Sequence, residues 1–183
     1  LYLHDVSLPK TCPQLLIDLG FEIPRYFQGD ILSIMAKMGK TQVFINDWPS
    51  LFIGKQGTKT DLHIDTHNTH FWMFMLKGKK KWTIYPAKNN NNNNNNNTNV
   101  EIEIKDIVKE VKPYEVIIEE GDTIFVPRTS PHRVYNQQDT VAVSMNFVDQ
   151  SNIIQFIFDL ENEHLQSSDQ LITQIRQIFQ KKN

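Results

Sequence analysis

Cysteine is almost missing from this sequence. Cys12 stands alone, so no disulfide forms within the chain and a cysteine-rich zinc site is excluded. It lies between Thr11 and Pro13 with nothing nearby that resembles a base, which argues against a nucleophilic role. Excess charge of one sign is also lacking. A formal net charge of −2 argues against a protein that holds nucleic acid by bulk electrostatics. No apolar run approaches the length of a membrane span. The single cysteine is compatible with a reducing compartment, and the expectation is an intracellular chain, nuclear or cytoplasmic. The first residue is Leu1 rather than Met, so the lack of a signal peptide says nothing about a longer protein. What is present is globular material: 183 residues, 39% hydrophobic and 22% charged, enough for one domain with a sizeable core.

Short apolar segments punctuated by Gly and Pro dominate the middle of the chain. They predict a mainly β fold, a barrel or sandwich over about residues 42–149. Leu1–Asp5 alternates as a short strand, and Gln14–Leu19 and Asp30–Met38 read as short helices stopped by Gly20 and Gly39. Strands are expected at Gln42–Asn46, Trp48–Gly54, Thr60–Thr66, Phe71–Lys77, Lys80–Pro86, Tyr114–Ile118, Thr123–Pro127, His132–Tyr135 and Thr140–Val148. Val100–Lys112 alternates only weakly. The asparagine run at 89–97 has no apolar face and predicts a disordered loop over about 88–99. After Asp149 the period changes. Ile153, Ile154, Ile157 and Leu160, then Leu171, Ile172, Ile175, Ile178 and Phe179, predict two helices over about 152–181, the second capped by Ser168 and Asp169. Their apolar stripe is expected to cover the sheet or to form a homodimer contact. No repeat and no second domain is visible, so residues 1–183 read as one domain.

The chemistry gathers in Thr60-Asp61-Leu62-His63-Ile64-Asp65. On a strand, residues i and i+2 share a face, so His63 and Asp65 project together. His132 lies in a later strand, just past the Pro127–Pro131 loop. Two histidines and one carboxylate with open coordination positions form the ligand set of non-haem Fe(II) oxygenases. By itself a His-X-Asp pair is more often a structural hydrogen bond than a metal site. Lys80 follows the most apolar strand; a buried lysine there would suit the far carboxylate of a dicarboxylate co-substrate and would be costly without a partner. Thr60 offers a hydroxyl at the start of the same strand as His63. His67 and His70 follow closely but are surplus to a three-ligand set, and His164 reads as a surface residue.

Several motifs occur in order: Gly57 through Asp65, Trp72 through Lys80, Glu120-Gly121-Asp122-Thr123-Ile124-Phe125-Val126-Pro127, then His132 and Asn146-Phe147. Together they resemble the JmjC family of Fe(II)- and 2-oxoglutarate-dependent oxygenases over about residues 1–150. The resemblance implies a double-stranded β-helix, a cupin-like jelly roll. It implies Fe(II) held by His63, Asp65 and His132, with 2-oxoglutarate and O2 as co-substrates. It further implies that the far carboxylate of 2-oxoglutarate pairs with Lys80, with Thr60 and Tyr2 as hydroxyl partners and Asn146 and Ser144 nearby. One departure is Met73, where many members carry a polar residue, often Asn. The implied activity is oxidation of a protein or peptide side chain, with hydroxylation favoured over removal of an N-methyl group from lysine or arginine. The rivals are a non-catalytic binding module of the same fold and a metal-dependent cupin of other chemistry, such as an isomerase.

Overall fold

Nine strands form two antiparallel sheets that face each other, in a computed structural model that describes residues 1–39, 47–87, 100–163 and 166–180. One sheet runs β1 (Tyr2–Ser7), β2 (Ser50–Gly54), β9 (Thr140–Phe147), β4 (His70–Lys77), β7 (Thr123–Val126). The other runs β3 (Lys59–His63), β8 (His132–Asn136), β5 (Lys79–Ile84), β6 (Tyr114–Glu119). From β2 to β9 the chain changes sheet at every step except the β5–β6 connection, which is the topology of a double-stranded β-helix. Strand β1 lies outside that pattern, as an extra edge beside β2. The expected strand at Gln42–Asn46 and the asparagine run lie outside the described residues, as does His164.

The apolar run of β4 is explained by its place inside the sheet, covered on both sides. Phe71, Met73 and Met75 point between the sheets, where they meet Phe52, Trp82, Ile118 and Val126. Trp72 points the other way, packing with Leu8, Met145 and Phe147. The partly buried Leu16, Phe21 and Phe27, from the N-terminal segment with helices α1 (Leu8–Thr11) and α2 (Pro13–Asp18), complete that layer. The Phe27 and Trp72 rings stack at 5.4 Å. Each such side chain contributes about 1.5–3 kcal/mol through burial.

Helix α3 (Ile31–Lys37) begins at Asp30, whose carboxylate accepts from the amides of Leu32 and Ser33 and the Ser33 hydroxyl. The same carboxylate accepts from the Val148 amide, tying α3 to the end of β9. Val100–Glu110, where the sequence alternates weakly, forms helix α4 rather than a strand. Helices α5 (Ile153–Glu163) and α6 (Gln166–Gln180) bury part of the expected stripe within the chain: Ile153, Leu160, Leu171, Ile172 and Ile175, joined by Phe156, meet Leu32, Met35 and Val148, whereas Ile154 stays exposed. Helix α6 starts two residues ahead of the expected Ser168–Asp169 cap. No helix among the described residues is long and apolar enough to cross a membrane.

The expected strand Thr60–Thr66 is shorter than its pattern suggests. Strand β3 ends at His63, and Asp65 lies beyond it in extended backbone that opens a 3-10 turn, Thr66–Asn68. His67 and Asn68 adopt left-handed backbone (φ 55° and 52°), which no regular ladder accommodates. The β3–β8 register also shifts between Thr60 and His63. Three residues apart, these two would face opposite ways on a regular strand. The irregularity lets both line one cleft.

Candidate metal centre and its cleft

At one end of the space between the sheets, His63 and His132 sit opposite each other across the β3–β8 ladder, ring centroids 4.2 Å apart. Asp65 follows two residues after His63, its Oδ1 3.9 Å from His63 Nε2. One ligand atom from each of the three falls within 4.8 Å of the other two. The backbone fixes both imidazole tautomers. His63 Nδ1 donates to the Asp61 carbonyl at 2.8 Å, and His132 Nδ1 donates to the Ser130 carbonyl at 2.9 Å. A carbonyl only accepts, so each Nδ1 carries the proton and each Nε2 keeps its lone pair free for a metal. Phe71 and Trp82 flank His132, with the Trp82 ring stacked at 5.5 Å.

Burial governs the charges here. It pushes the Asp65 carboxyl up to about 6, against the pull of His63 and helped by the negative charge of Asp5. Burial, then the neighbouring His63, pushes His132 down to about 4. A divalent cation among the three reverses the balance for Asp65 and requires the neutral imidazoles already favoured at His132.

A cleft of about 450 Å³, counting its open mouth, leads from this triad between the sheets. His4, Asp5, Phe71, Met73 and Asn146 are among its lining residues. Lys80 lies at the opposite end of β5 from the His132 pairing: Ile84 faces His132 across the ladder, and Lys80 faces Asn136. It is fully buried. Its ammonium donates to Asn136 Oδ1 at 2.9 Å and Tyr2 Oη at 3.3 Å, and lies 5.2 Å from the centre of the Tyr2 ring. Thr60 Oγ1 donates to the same Tyr2 oxygen at 3.5 Å. No carboxylate pairs with Lys80 among the described residues, and burial pushes it down to about 8.

The family model described as "JmjC domain, hydroxylase" matches residues 50–147, just over half of the chain. The chain belongs to the JmjC family. Among curated relatives, the 2-oxoglutarate and iron-dependent oxygenase JMJD4 of Danio rerio is 27% identical over 164 residues, covering 84% of this chain and 37% of that protein. Arginine-specific demethylase JMJ22 of Arabidopsis thaliana is 25% identical over 168 residues, covering 84% of this chain and 32% of that protein. Lysine-specific demethylase JMJ21 of the same plant is 29% identical over 168 residues, covering 83% of this chain and 17% of that protein. The chain spans well under half the length of each.

In this JmjC chain, the remaining residues singled out by the sequence divide by position. Tyr2 and Thr60 line the cleft and meet each other in front of Lys80. Asn146 lines it as well, its amide donating to Thr69 Oγ1 at 2.8 Å. Ser144, on the same strand face, is buried and is not among the lining residues. Met73 forms part of the wall. His70 stands apart from the triad: its Nδ1 accepts from the Arg128 amide at 3.0 Å, so its Nε2 donates to Ser151 Oγ at 2.9 Å. Ser151 in turn donates to Asp149, an order of donors that makes His70 a spacer and not a base.

Two sets of residues carry weight here that the sequence did not announce. Asn136 reads as a turn residue, yet it is buried, accepts from Lys80 and Thr140, and donates to Thr58 Oγ1 at 2.8 Å. Gly54 makes room for it; a β-carbon there would stand 2.1 Å from Asn136 Nδ2. Asn152, at the start of α5 and fully buried, donates to the Asn68 carbonyl at 2.9 Å. Asn68 Nδ2 donates to Asp159 at 2.6 Å, and Arg128 donates to Asn68 Oδ1 at 3.1 Å. The turn directly after Asp65 is therefore held by helix α5 and the β7–β8 loop.

Proposed function

We propose that this chain is the catalytic unit of an Fe(II)- and 2-oxoglutarate-dependent oxygenase that hydroxylates a protein side chain. The observation that carries this is a pair of imidazoles with free Nε2 lone pairs beside Asp65, in the same barrel as a buried ammonium that has no anionic partner among the described residues. The JMJD4 relative, named for its dependence on 2-oxoglutarate and iron, supports it. His63, Asp65 and His132 would hold Fe(II). When bound with 2-oxoglutarate and O2, the iron supplies the oxidising power that inserts one oxygen atom into a substrate C–H bond, 2-oxoglutarate leaving as succinate and CO2.

The chain's own residues do the rest. Lys80 receives the far carboxylate of 2-oxoglutarate as a charge-assisted partner, replacing a buried cation with a buried pair. Tyr2 and Thr60 offer hydroxyls to the same group, and Asn136 keeps the ammonium aimed. Asn146 offers its amide from the cleft wall. Phe71, Trp82 and Met73 exclude water around His132 and keep the local dielectric low. His63 and His132 keep their protons on Nδ1, away from the metal side.

Removal of an N-methyl group from lysine or arginine uses the same chemistry, since a hydroxylated N-methyl group departs as formaldehyde. The names of JMJ22 and JMJ21 favour this second reading. The deciding experiment supplies Fe(II), 2-oxoglutarate, O2 and a broad panel of plain and methylated peptides. Succinate with a gain of one oxygen in the peptide establishes hydroxylation, and loss of a methylene establishes demethylation. No succinate from folded, iron-loaded protein would leave a non-catalytic binding module.

A further inference from the structure

Strand β1 is not regular. Between Leu3 and Val6 its pairing with β2 slips, so that His4 and Asp5 together stand opposite the single residue Phe52. Asp5 takes left-handed backbone, φ 53°. Bulges of this kind re-aim side chains, and both bulged residues line the cleft with His63, Asp65 and His132. The His4 ring is occupied, set edge-on to Phe52 at 4.8 Å and Tyr2 at 5.4 Å. Asp5 is in a different position. It is exposed, it makes no hydrogen bond or ion pair among the described residues, and it is not one of the three clustered ligands. Its charge nonetheless reaches the triad, adding to the rise of the Asp65 carboxyl.

The titratable groups near the triad that line this space are the imidazoles of His4, His63 and His132 and the carboxylates of Asp5 and Asp65, while Lys80 lies behind Tyr2 and outside the lining. A metal engages Asp65 and both imidazoles of the triad, and a dicarboxylate engages Lys80. Asp5, whose charge is felt by the neighbouring His4, is then the one carboxylate of the lining with no hydrogen bond or ion pair among the described residues, and a carboxylate only accepts hydrogen bonds. We propose that Asp5 is the specificity-determining residue of this cleft, receiving the ammonium or guanidinium of a basic substrate side chain as it enters. The inference rests on the oxygenase reading above and adds to it the residue that reads the substrate's charge.

The test measures binding, not turnover. Short peptides, identical except for a central lysine, arginine, norleucine, glutamine or glutamate, are titrated by NMR into the whole chain loaded with Mn(II) and 2-oxoglutarate. Mn(II) broadening shows which side chains reach the metal end. The wild type is expected to bind the lysine and arginine peptides about five- to tenfold tighter than the norleucine and glutamine ones, as a partly exposed charge-assisted contact gives. Asp5→Asn is the clean variant, because Asn tolerates left-handed backbone and only the charge is lost. It should reduce that ratio to about one, and Asp5→Lys should turn the preference toward glutamate. Equal binding of all five peptides by the wild type overturns the proposal. So does a ratio unchanged in Asp5→Asn, or a loss of Mn(II) affinity in that variant with the peptide preference intact, which would make Asp5 a metal-side carboxylate. Succinate formation by the wild type is scored separately. Its absence would remove the oxygenase reading, while the binding ratio would still judge Asp5.

Discussion

The two ends of the cleft solve opposite problems. At the metal end, three side chains come from a strand terminus, the extended segment after it and the first residue of another strand. They are oriented by backbone carbonyls and by a turn clamped from outside the barrel. At the lysine end, one cation is enclosed within continuous sheet, held by two neutral partners, Tyr2 on β1 and Asn136 at the end of β8. The metal end gathers donors that a cation satisfies. The lysine end keeps a cation that an anion satisfies. A site for a metal-chelating dicarboxylate needs both kinds of incompleteness, and here the cleft that starts at the triad reaches Tyr2 and Thr60, the residues in front of Lys80.

Substitutions test whether the ends are as separate as they look. The largest effect is expected from His132→Ala, which should lower Co(II) or Mn(II) affinity more than about 100-fold and abolish turnover, with the circular dichroism spectrum kept. Lys80→Met should do the reverse: 2-oxoglutarate affinity falls about 100-fold, metal affinity measured alone changes less than about twofold, and the unliganded protein gains about 1–3 kcal/mol in denaturant unfolding. A comparable loss of metal affinity in Lys80→Met would show that the two ends act as one.

pH sharpens the same contrast. Lys80 titrates at about 8 in the folded chain, against 10.5 as the ordinary value. The folded chain sheds this proton first, so Lys80 makes stability rise with pH between about 8 and 10.5, where the unfolded state binds more protons. Bound 2-oxoglutarate favours the proton, so its affinity should fall above about pH 8. Lys80→Met should remove that fall, as titration calorimetry across pH would show. Smaller effects come from the supports. Gly54→Ala drives a methyl into Asn136 and should cost about 1–3 kcal/mol of stability, with a weaker loss of 2-oxoglutarate affinity than Lys80→Met. Asn152→Ala frees the turn after Asp65 and should lower metal affinity about tenfold, leaving 2-oxoglutarate binding at the lysine end the less affected.

Much of this was legible in the residues. The apolar run of β4, the Gly-stopped hairpins and the two amphipathic C-terminal helices follow from periodicity, and the order of His63, Asp65, Lys80 and His132 follows from motif. What escaped has a common cause. The slips at His4–Asp5 and between Thr60 and His63 depend on the partner strand, which a linear pattern does not contain. Asn136 and Asn152 are polar residues with ordinary turn and cap chemistry, and only their burial against Lys80 and Asn68 gives them a role. Val100–Glu110 reads ambiguously because Val100, Ile102 and Ile104 also alternate with period two.

The clamp on Asn68 bears on where this chain can be cut. A fragment cut to residues 50–147 retains His63, Asp65, Lys80 and His132, yet it discards Tyr2 at one end and Asn152 and Asp159 at the other. Such a fragment has every residue by which the family is recognised, but Lys80 loses its hydroxyl partner and the peptide after Asp65 loses its tether to α5. Anyone trimming this protein for crystallisation or display should therefore keep β1 and α5 as parts of the candidate site, not as flanking sequence.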